Sequence, residues 1–274
     1  MLIDRARRLW SRTGWARLGR IADALERLES RPPEPRNAVA TEAPGVGIRQ
    51  RMGLTLLLDP ASDVDRWMIQ TGSWEPEQFA KLKAIAAEAL SKSSGPRVFF
   101  DIGAYFGLYA LLMDRERMFD RIVAFEPDRL NFAQLQSQLF LNGAAYRIEA
   151  RNVAVGEAPG IVHMQRADRH PTGNRAGAGL WGCGDVNALP VGMVAVDEEI
   201  DVSGGLIVAK IDVESNQDAV LRGMRRTIER NACVLQIEAF EEQRAATRAL
   251  LDDLNLDVVA DMPPDLFAVH GISI

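Results

Sequence analysis

At 274 residues, 47% apolar and 26% charged, the chain can bury one large α/β domain and carry a small appendage. A net charge of −6 argues against a nucleic-acid partner, because the phosphate backbone demands a basic face. Cys183 and Cys233 stand far apart and the three histidines lie apart from clustered carboxylates, so no metal spacing appears, and reduced thiols in a cytoplasmic protein are expected.

Met1 to Arg31 reads as a separate segment. Arg5, Arg7, Arg8, Arg12, Arg17 and Arg20 make its first part basic, while Leu18, Ile21, Leu25 and Leu28 form a helical apolar stripe. It has neither the apolar run of a signal peptide nor, as elsewhere in the chain, the roughly 18 apolar residues of a membrane span. Trp10 and Trp15 suit a helix lying on an anionic membrane surface. The stripe sits in the less basic half, which favours self-association or packing. Pro32, Pro33, Pro35 and Pro44 make 32–45 a linker, leaving 46–274 as the main domain.

Within that domain, Val46 to Leu58 alternates loosely, as a hairpin does, and Phe79 to Leu90 has helical apolar spacing after Trp74-Glu75-Pro76. Val98-Phe99-Phe100 is a strand apolar on both faces. It runs into Asp101-Ile102-Gly103-Ala104-Tyr105-Phe106-Gly107, where glycine permits a sharp turn and close approach of a ligand. A helix begins at Leu108, its first N–H groups carrying partial positive charge. A second apolar strand, Ile122 to Phe125, ends in Glu126, about 20 residues past the turn, where a Rossmann-type unit sets a carboxylate on ribose hydroxyls. A dinucleotide site asks for Gly-x-Gly-x-x-Gly. Here the glycine that lets backbone approach a pyrophosphate is missing, which points to a nucleoside cofactor without phosphate, S-adenosylmethionine. The plainer alternative is that both glycines serve only a tight turn.

Leu130 to Leu141 reads as the next helix, closed by Asn142-Gly143. Arg147 to Val155 gives a third strand and the residues around His163 another. Thr172 to Gly184 is glycine-rich without period, a lid or a disordered stretch. Leu206 to Ile211 is a buried strand ending in Asp212-Val213-Glu214, Asp218 to Glu229 a helix, Val234 to Ile237 a strand ending in Glu238, and Ala245 to Leu254 the last helix. Leu256 to Ala260 and Leu266 to His270 form a terminal hairpin through Pro263-Pro264. Strands alternating with helices predict an α/β fold with a mainly parallel, Rossmann-like sheet. Its ligand would lie beyond the strand carboxyl ends, where Asp101, Glu126, Asn152, Asp212 and Glu238 fall.

Taken in order, Trp74-Glu75-Pro76, Asp101 to Gly107, Phe125-Glu126-Pro127-Asp128, Leu141-Asn142-Gly143, Asn152 to Gly156, Lys210-Ile211-Asp212-Val213-Glu214 and Gln236-Ile237-Glu238 resemble the FkbM-type S-adenosylmethionine-dependent methyltransferases. The resemblance implies that backbone around Gly103, Ala104, Tyr105 and Gly107 cradles the methionine end, with Asp101 on its ammonium. It also implies Glu126 on the ribose, Pro127 on the adenine, Asn152 and Val153 along the adenine edge, and Glu75 and Asp212 toward the substrate opening. Tyr105 stands where the family usually has Asn, and Ser215-Asn216-Gln217 where it usually has Gly-Ala-Glu. Methylation of a hydroxyl on a glycan or small natural product is what the family implies. Such a hydroxyl must lose its proton to a base. Asp212 is the first candidate, with Glu238, Glu214, His163 and His170 behind it and no metal ligands expected. A non-catalytic cofactor-binding scaffold and a nicotinamide oxidoreductase are the rival functions.

Overall fold

A computed structural model describes residues 45–169, 174–177, 180–181 and 188–274. The expectations for 1–44, His170, Cys183 and most of the glycine-rich stretch fall outside those residues.

The chain enters through an antiparallel hairpin, β1 (Gly47–Arg51) and β2 (Leu54–Leu58). Helices α1 (Asp63–Thr71) and α2 (Pro76–Lys92) follow. Then strands and helices alternate: β3 (Arg97–Ile102), α3 (Leu108–Glu116), β4 (Arg121–Phe125), α4 (Arg129–Leu141) and β5 (Ile148–Arg151). β6 (Ala154–Val155), β7 (Gly160–Gln165), β8 (Leu180–Trp181) and β9 (Ala188–Val194) make a separate four-stranded sheet, and α5 (Val196–Glu199) returns the chain. β10 (Leu206–Ile211), α6 (Gln217–Arg222), α7 (Arg225–Arg230), β11 (Ala232–Glu238), α8 (Glu241–Asp253), β12 (Asp257–Met262) and β13 (Asp265–His270) complete it.

The main sheet has seven strands in the order β12-β13-β11-β10-β3-β4-β5. The α/β expectation holds. β5, β4, β3, β10 and β11 run parallel, and β13 lies antiparallel between β11 and β12. Two apolar layers cover its faces because successive strand residues point to opposite sides. Phe99, Val208 and Val234 face α2 and α3, whereas Phe100, Ile207 and Leu235 face the α6 to α8 side. The parallel strands need no polar alternation, being covered on both faces.

Two expectations are corrected and one helix is added. Arg147 to Val155 is not one strand, because the chain turns at Asn152-Val153 and β6 joins the second sheet. Asp218 to Glu229 is two helices broken at Gly223, where a Cβ would meet the Gly156 carbonyl oxygen at 2.0 Å. Helix α1 was not among the expected elements, although Val64, Trp67 and Met68 recur at helical spacing; it packs against β1 and β2 and buries Val64, Asp65 and Met68.

Candidate functional site

In the main sheet the chain order reverses between β3 and β10, so the loops after these strands part and leave a crevice. A cavity of about 360 Å³ opens there. Asp101 is the penultimate residue of β3, Glu126 follows β4, Asp212 follows β10 and Glu238 closes β11, and all four line it. Sequence separates these carboxylates by up to 137 positions; parallel strand registry brings them to one rim.

Glu126 is buried, and backbone fixes both its oxygens: Tyr105 N–H donates to Oε2 and Asp128 N–H to Oε1, each at 2.8 Å. Burial pushes its carboxyl up to about 8 despite these bonds. Asn152 donates to the Glu126 and Pro127 carbonyls at 2.8 and 3.0 Å and is absent from the cavity lining. It shapes the loop that carries Glu126 rather than the adenine edge itself. Pro127 and Val153 do line the cavity.

The glycine turn is arranged differently from expectation. Gly103 and Ala104 N–H groups both donate to the Phe125 carbonyl, at 3.0 and 2.9 Å, and the Gly107 N–H donates to the Ala104 carbonyl at 2.6 Å. These amides are therefore spent within the fold and cannot cradle a carboxylate or a phosphate. Gly103 is glycine for another reason: at φ +81° its Cβ would lie 1.7 Å from the Asp212 carbonyl oxygen. Gly107 starts α3 at φ +82°, where a Cβ would meet Leu135, and lies behind the lining. Asp101 accepts the Ala110 N–H at 2.9 Å, anchoring the first turn of α3. Burial lifts its carboxyl to about 6. Glu75, in a left-handed backbone at φ +46°, accepts the Tyr109 hydroxyl at 3.0 Å and reaches the cavity.

At the β10–β11 end, Asp212, Glu214 and Glu238 have carboxylate oxygens within 4.8 Å of one another, a grouping at chelating distance that sequence spacing does not show. Lys210 Nζ donates to Asp212 Oδ2 at 2.6 Å and lies 4.6 Å from the Tyr109 ring centroid. Burial pushes Glu238 up, and the adjacent Asp212 charge adds to it, to about 10. Burial works against ionised Asp212 too, but Lys210 and a hydrogen bond from Glu238 outweigh it and hold Asp212 below the ordinary carboxylate range. The pair therefore rests as an anion at Asp212 and an acid at Glu238. Burial and the Asp212 charge raise Glu214 to about 7.

His163 is not part of this group. It lies on β7, paired with Trp181 and Pro190 in the second sheet, away from the cavity lining. The sequence reading passed over Lys210 as a site residue, although a lysine inside an otherwise apolar strand is a signal, since a buried ammonium needs a partner. It also passed over Tyr109, Trp67 and Phe240, all of which line the cavity and read as ordinary helix or loop residues.

No protein-family model matches the chain, and no curated protein matches it by sequence. Among solved structures it is similar to a ribosomal protein L11 methylase from Lactobacillus delbrueckii subsp. bulgaricus, at 12% identity over 84% of this chain and 100% of that one, TM-score 0.44. It is also similar to a SAM-dependent methyltransferase from Agrobacterium tumefaciens, at 10% identity over 88% and 73% of the two chains, TM-score 0.44. TYW2 of M. jannaschii, solved in complex with AdoMet, has 10% identity over 85% and 87%, TM-score 0.40.

Proposed function

We propose that the protein is an S-adenosylmethionine-dependent methyltransferase acting on a hydroxyl of a small, non-anionic acceptor such as a sugar or natural product. The observation that carries this reading is the set of carboxyl groups that line the cavity. Asp63, Glu75, Asp101, Glu126, Asp212, Glu214 and Glu238 line it against Lys210, which is already paired with Asp212. Among the described residues that line the cavity, Lys210 is the one lysine or arginine and is paired with Asp212, and the Gly103, Ala104 and Tyr105 N–H groups are engaged within the fold, which weighs against the pyrophosphate of a nicotinamide dinucleotide. A phosphate-free nucleoside with a cationic tail fits the same surroundings. Glu126 would hold its ribose hydroxyls, Pro127 and Val153 its base, and Asp101 and Glu75 its ammonium end.

When bound, that cofactor supplies an electrophilic methyl group on a sulfonium. The chain's own part is to position the acceptor and take its proton. Asp212, kept ionised by Lys210, accepts the proton of the acceptor hydroxyl, and Glu238 stays protonated and hydrogen-bonded to Asp212. The acidic lining supports a neutral acceptor over RNA, and with it the expectation of no nucleic-acid partner. No helix among the described residues is long and apolar enough to cross a membrane. Cytoplasmic location, with membrane contact or self-association through residues 1–31, stays part of the proposal.

Calorimetric titration of the full chain with S-adenosylhomocysteine and with NAD⁺ tests the reading. Saturable binding of the first, weakened but still measurable in Glu126→Ala, and none of the second is the expected result. S-Adenosylhomocysteine released on incubating S-adenosylmethionine with a metabolite extract then separates an enzyme from a non-catalytic binder. Failure of S-adenosylhomocysteine to bind the wild-type chain sinks the proposal.

A further inference from the structure

Away from the carboxylate rim, the described residues contain a buried polar network of which the proposed chemistry makes no use. Asp65 of α1 is fully buried, and Arg175, from the short stretch 174–177, is 7% exposed. Arg175 donates to Gln134 Oε1 at 2.7 Å, to the Tyr105 hydroxyl at 3.3 Å and to Asp65 Oδ2 at 3.4 Å, and its guanidinium lies 5.8 Å from the Tyr105 ring centroid. The Tyr105 hydroxyl donates to Asp65 Oδ1 at 2.8 Å and lies 2.6 Å from Ser62 Oγ. With Ser62 and Arg175 as donors and Asp65 as acceptor, this phenol uses its full hydrogen-bonding capacity. Gln134 also donates to Asp65 Oδ2, at 2.7 Å.

A buried ion pair is weak support for stability, because desolvating two charges offsets most of their attraction. What the network does hold in place is the set of donors to Glu126. The Tyr105 N–H donates to Glu126 Oε2 from a left-handed backbone at φ +49°, a conformation that costs energy in a non-glycine residue unless its surroundings fix it. The fixing comes from the phenol end. The second tie runs through Asn131, whose side-chain amide donates to the Arg175 carbonyl at 3.0 Å and whose backbone N–H donates to Asp128 Oδ1 at 3.0 Å, Asp128 N–H being the other donor to Glu126. Side chain and main chain of one arginine thus connect to both backbone donors of the Glu126 carboxylate, Tyr105 directly and Asp128 through Asn131.

We infer that Arg175 is a positioning residue for the cofactor: through Tyr105 on one side and Asn131 on the other it sets the Glu126 carboxylate for the two hydroxyls of a ribose. This rests on the nucleoside reading of the site and adds a residue some fifty positions downstream of Glu126, in a glycine-rich stretch. Tyr105, which departs from the family pattern, then acts through its phenol as a strut and not as a ligand contact.

A double-mutant cycle on the full chain tests it, with S-adenosylhomocysteine binding measured by displacement titration into the millimolar range. Arg175→Ala should weaken binding roughly tenfold, the size of a lost charge-assisted hydrogen bond. In a Glu126→Ala background the same change should cost less than about twofold, since Arg175 acts only through the carboxylate. A general structural role would give equal losses in both backgrounds, and that result, or no loss with Glu126 present, overturns the inference. Thermal unfolding of the ligand-free variants reports any fold loss, and Tyr105→Phe, which cuts the strut at its other end, repeats the cycle if Arg175→Ala does not fold. A wild-type chain that does not bind S-adenosylhomocysteine removes the cofactor reading, and this inference with it, a result distinct from binding that is insensitive to Arg175.

Discussion

Asp212 and Glu238 are of one chemical type and have carboxylate oxygens within 4.8 Å of one another, yet their surroundings push their carboxyls in opposite directions. The difference is Lys210, two residues before Asp212 on β10 and 2.6 Å from its carboxylate. It favours the anion at Asp212, and that anion in turn keeps the proton on Glu238. A base must be ionised at working pH and a near neighbour of the reacting atom, so Asp212 is the member of the pair suited to the task. Asp212→Asn should lower kcat by about 10² or more and leave S-adenosylhomocysteine affinity within about threefold. Glu238→Gln keeps the hydrogen bond to Asp212 and should cost far less. Turnover of Asp212→Asn at the wild-type rate would remove it as base. Because Lys210 already supplies positive charge to the three carboxylates, turnover should also survive a chelator. Loss on chelation, restored by a divalent cation, would assign the cluster Asp212, Glu214 and Glu238 to a metal instead.

At the scale of elements, the two conspicuous glycine motifs do unequal work. Gly103 lies under the Asp212 carbonyl, where a Cβ would come within 1.7 Å, whereas nothing stands within 4 Å of a Cβ at Gly143, which follows α4 at φ +61°. Gly143→Ala should therefore cost about 1 kcal/mol, the price of a left-handed backbone alone. Gly103→Ala should cost about 3 kcal/mol or more, because β3 and β10 must move apart. Urea denaturation of both variants measures the difference, and equal losses would contradict the packing argument. The same contrast explains how far the sequence could be read. The parallel strands announced themselves as short apolar runs, and their parallel direction was inferable from alternation with helices. The carboxylates at their ends could be gathered on paper, since every parallel strand ends on the same side. The second sheet could not: β6 and β8 are two residues long, and β9 carries Pro190 and Gly192 and exposes Leu189. The close approach of Gly223 to Gly156, which divides α6 from α7, is a tertiary fact with no local signature. Nor could spacing reveal Asp65 or Arg175, whose partners lie 40 and 41 residues away at Tyr105 and Gln134.

For the molecule as a whole, the buried acids make stability and ligand binding depend on pH in a definite sense. Glu126 is raised to about 8, Glu214 to about 7, Glu238 to about 10 and Asp101 to about 6, in each case chiefly by burial. In the unfolded chain these groups titrate near 4, about 3.9 for Asp and 4.3 for Glu. Between about pH 5 and about pH 9 the folded protein therefore holds protons that the unfolded chain has lost, and folding stability must fall as pH rises through that window. The slope is at most about 1.4 kcal/mol per pH unit for each such proton. Asp120, held low by Arg97, and Glu149, held low by Arg121 and Arg151, are ionised throughout this range and do not oppose the trend. A ligand that brings ribose hydroxyls to Glu126 and a cationic tail to Asp101 favours the ionised forms, so binding should expel protons. The thermal midpoint of the ligand-free protein should accordingly decline from about pH 5 to about pH 9, and the shift produced by saturating S-adenosylmethionine should grow over the same range. Calorimetry near neutral pH in two buffers of different ionisation enthalpy should show net proton release. A midpoint that rises with pH, or proton uptake on binding, would mean that Glu126 is already ionised in the free protein and that burial does not govern this rim.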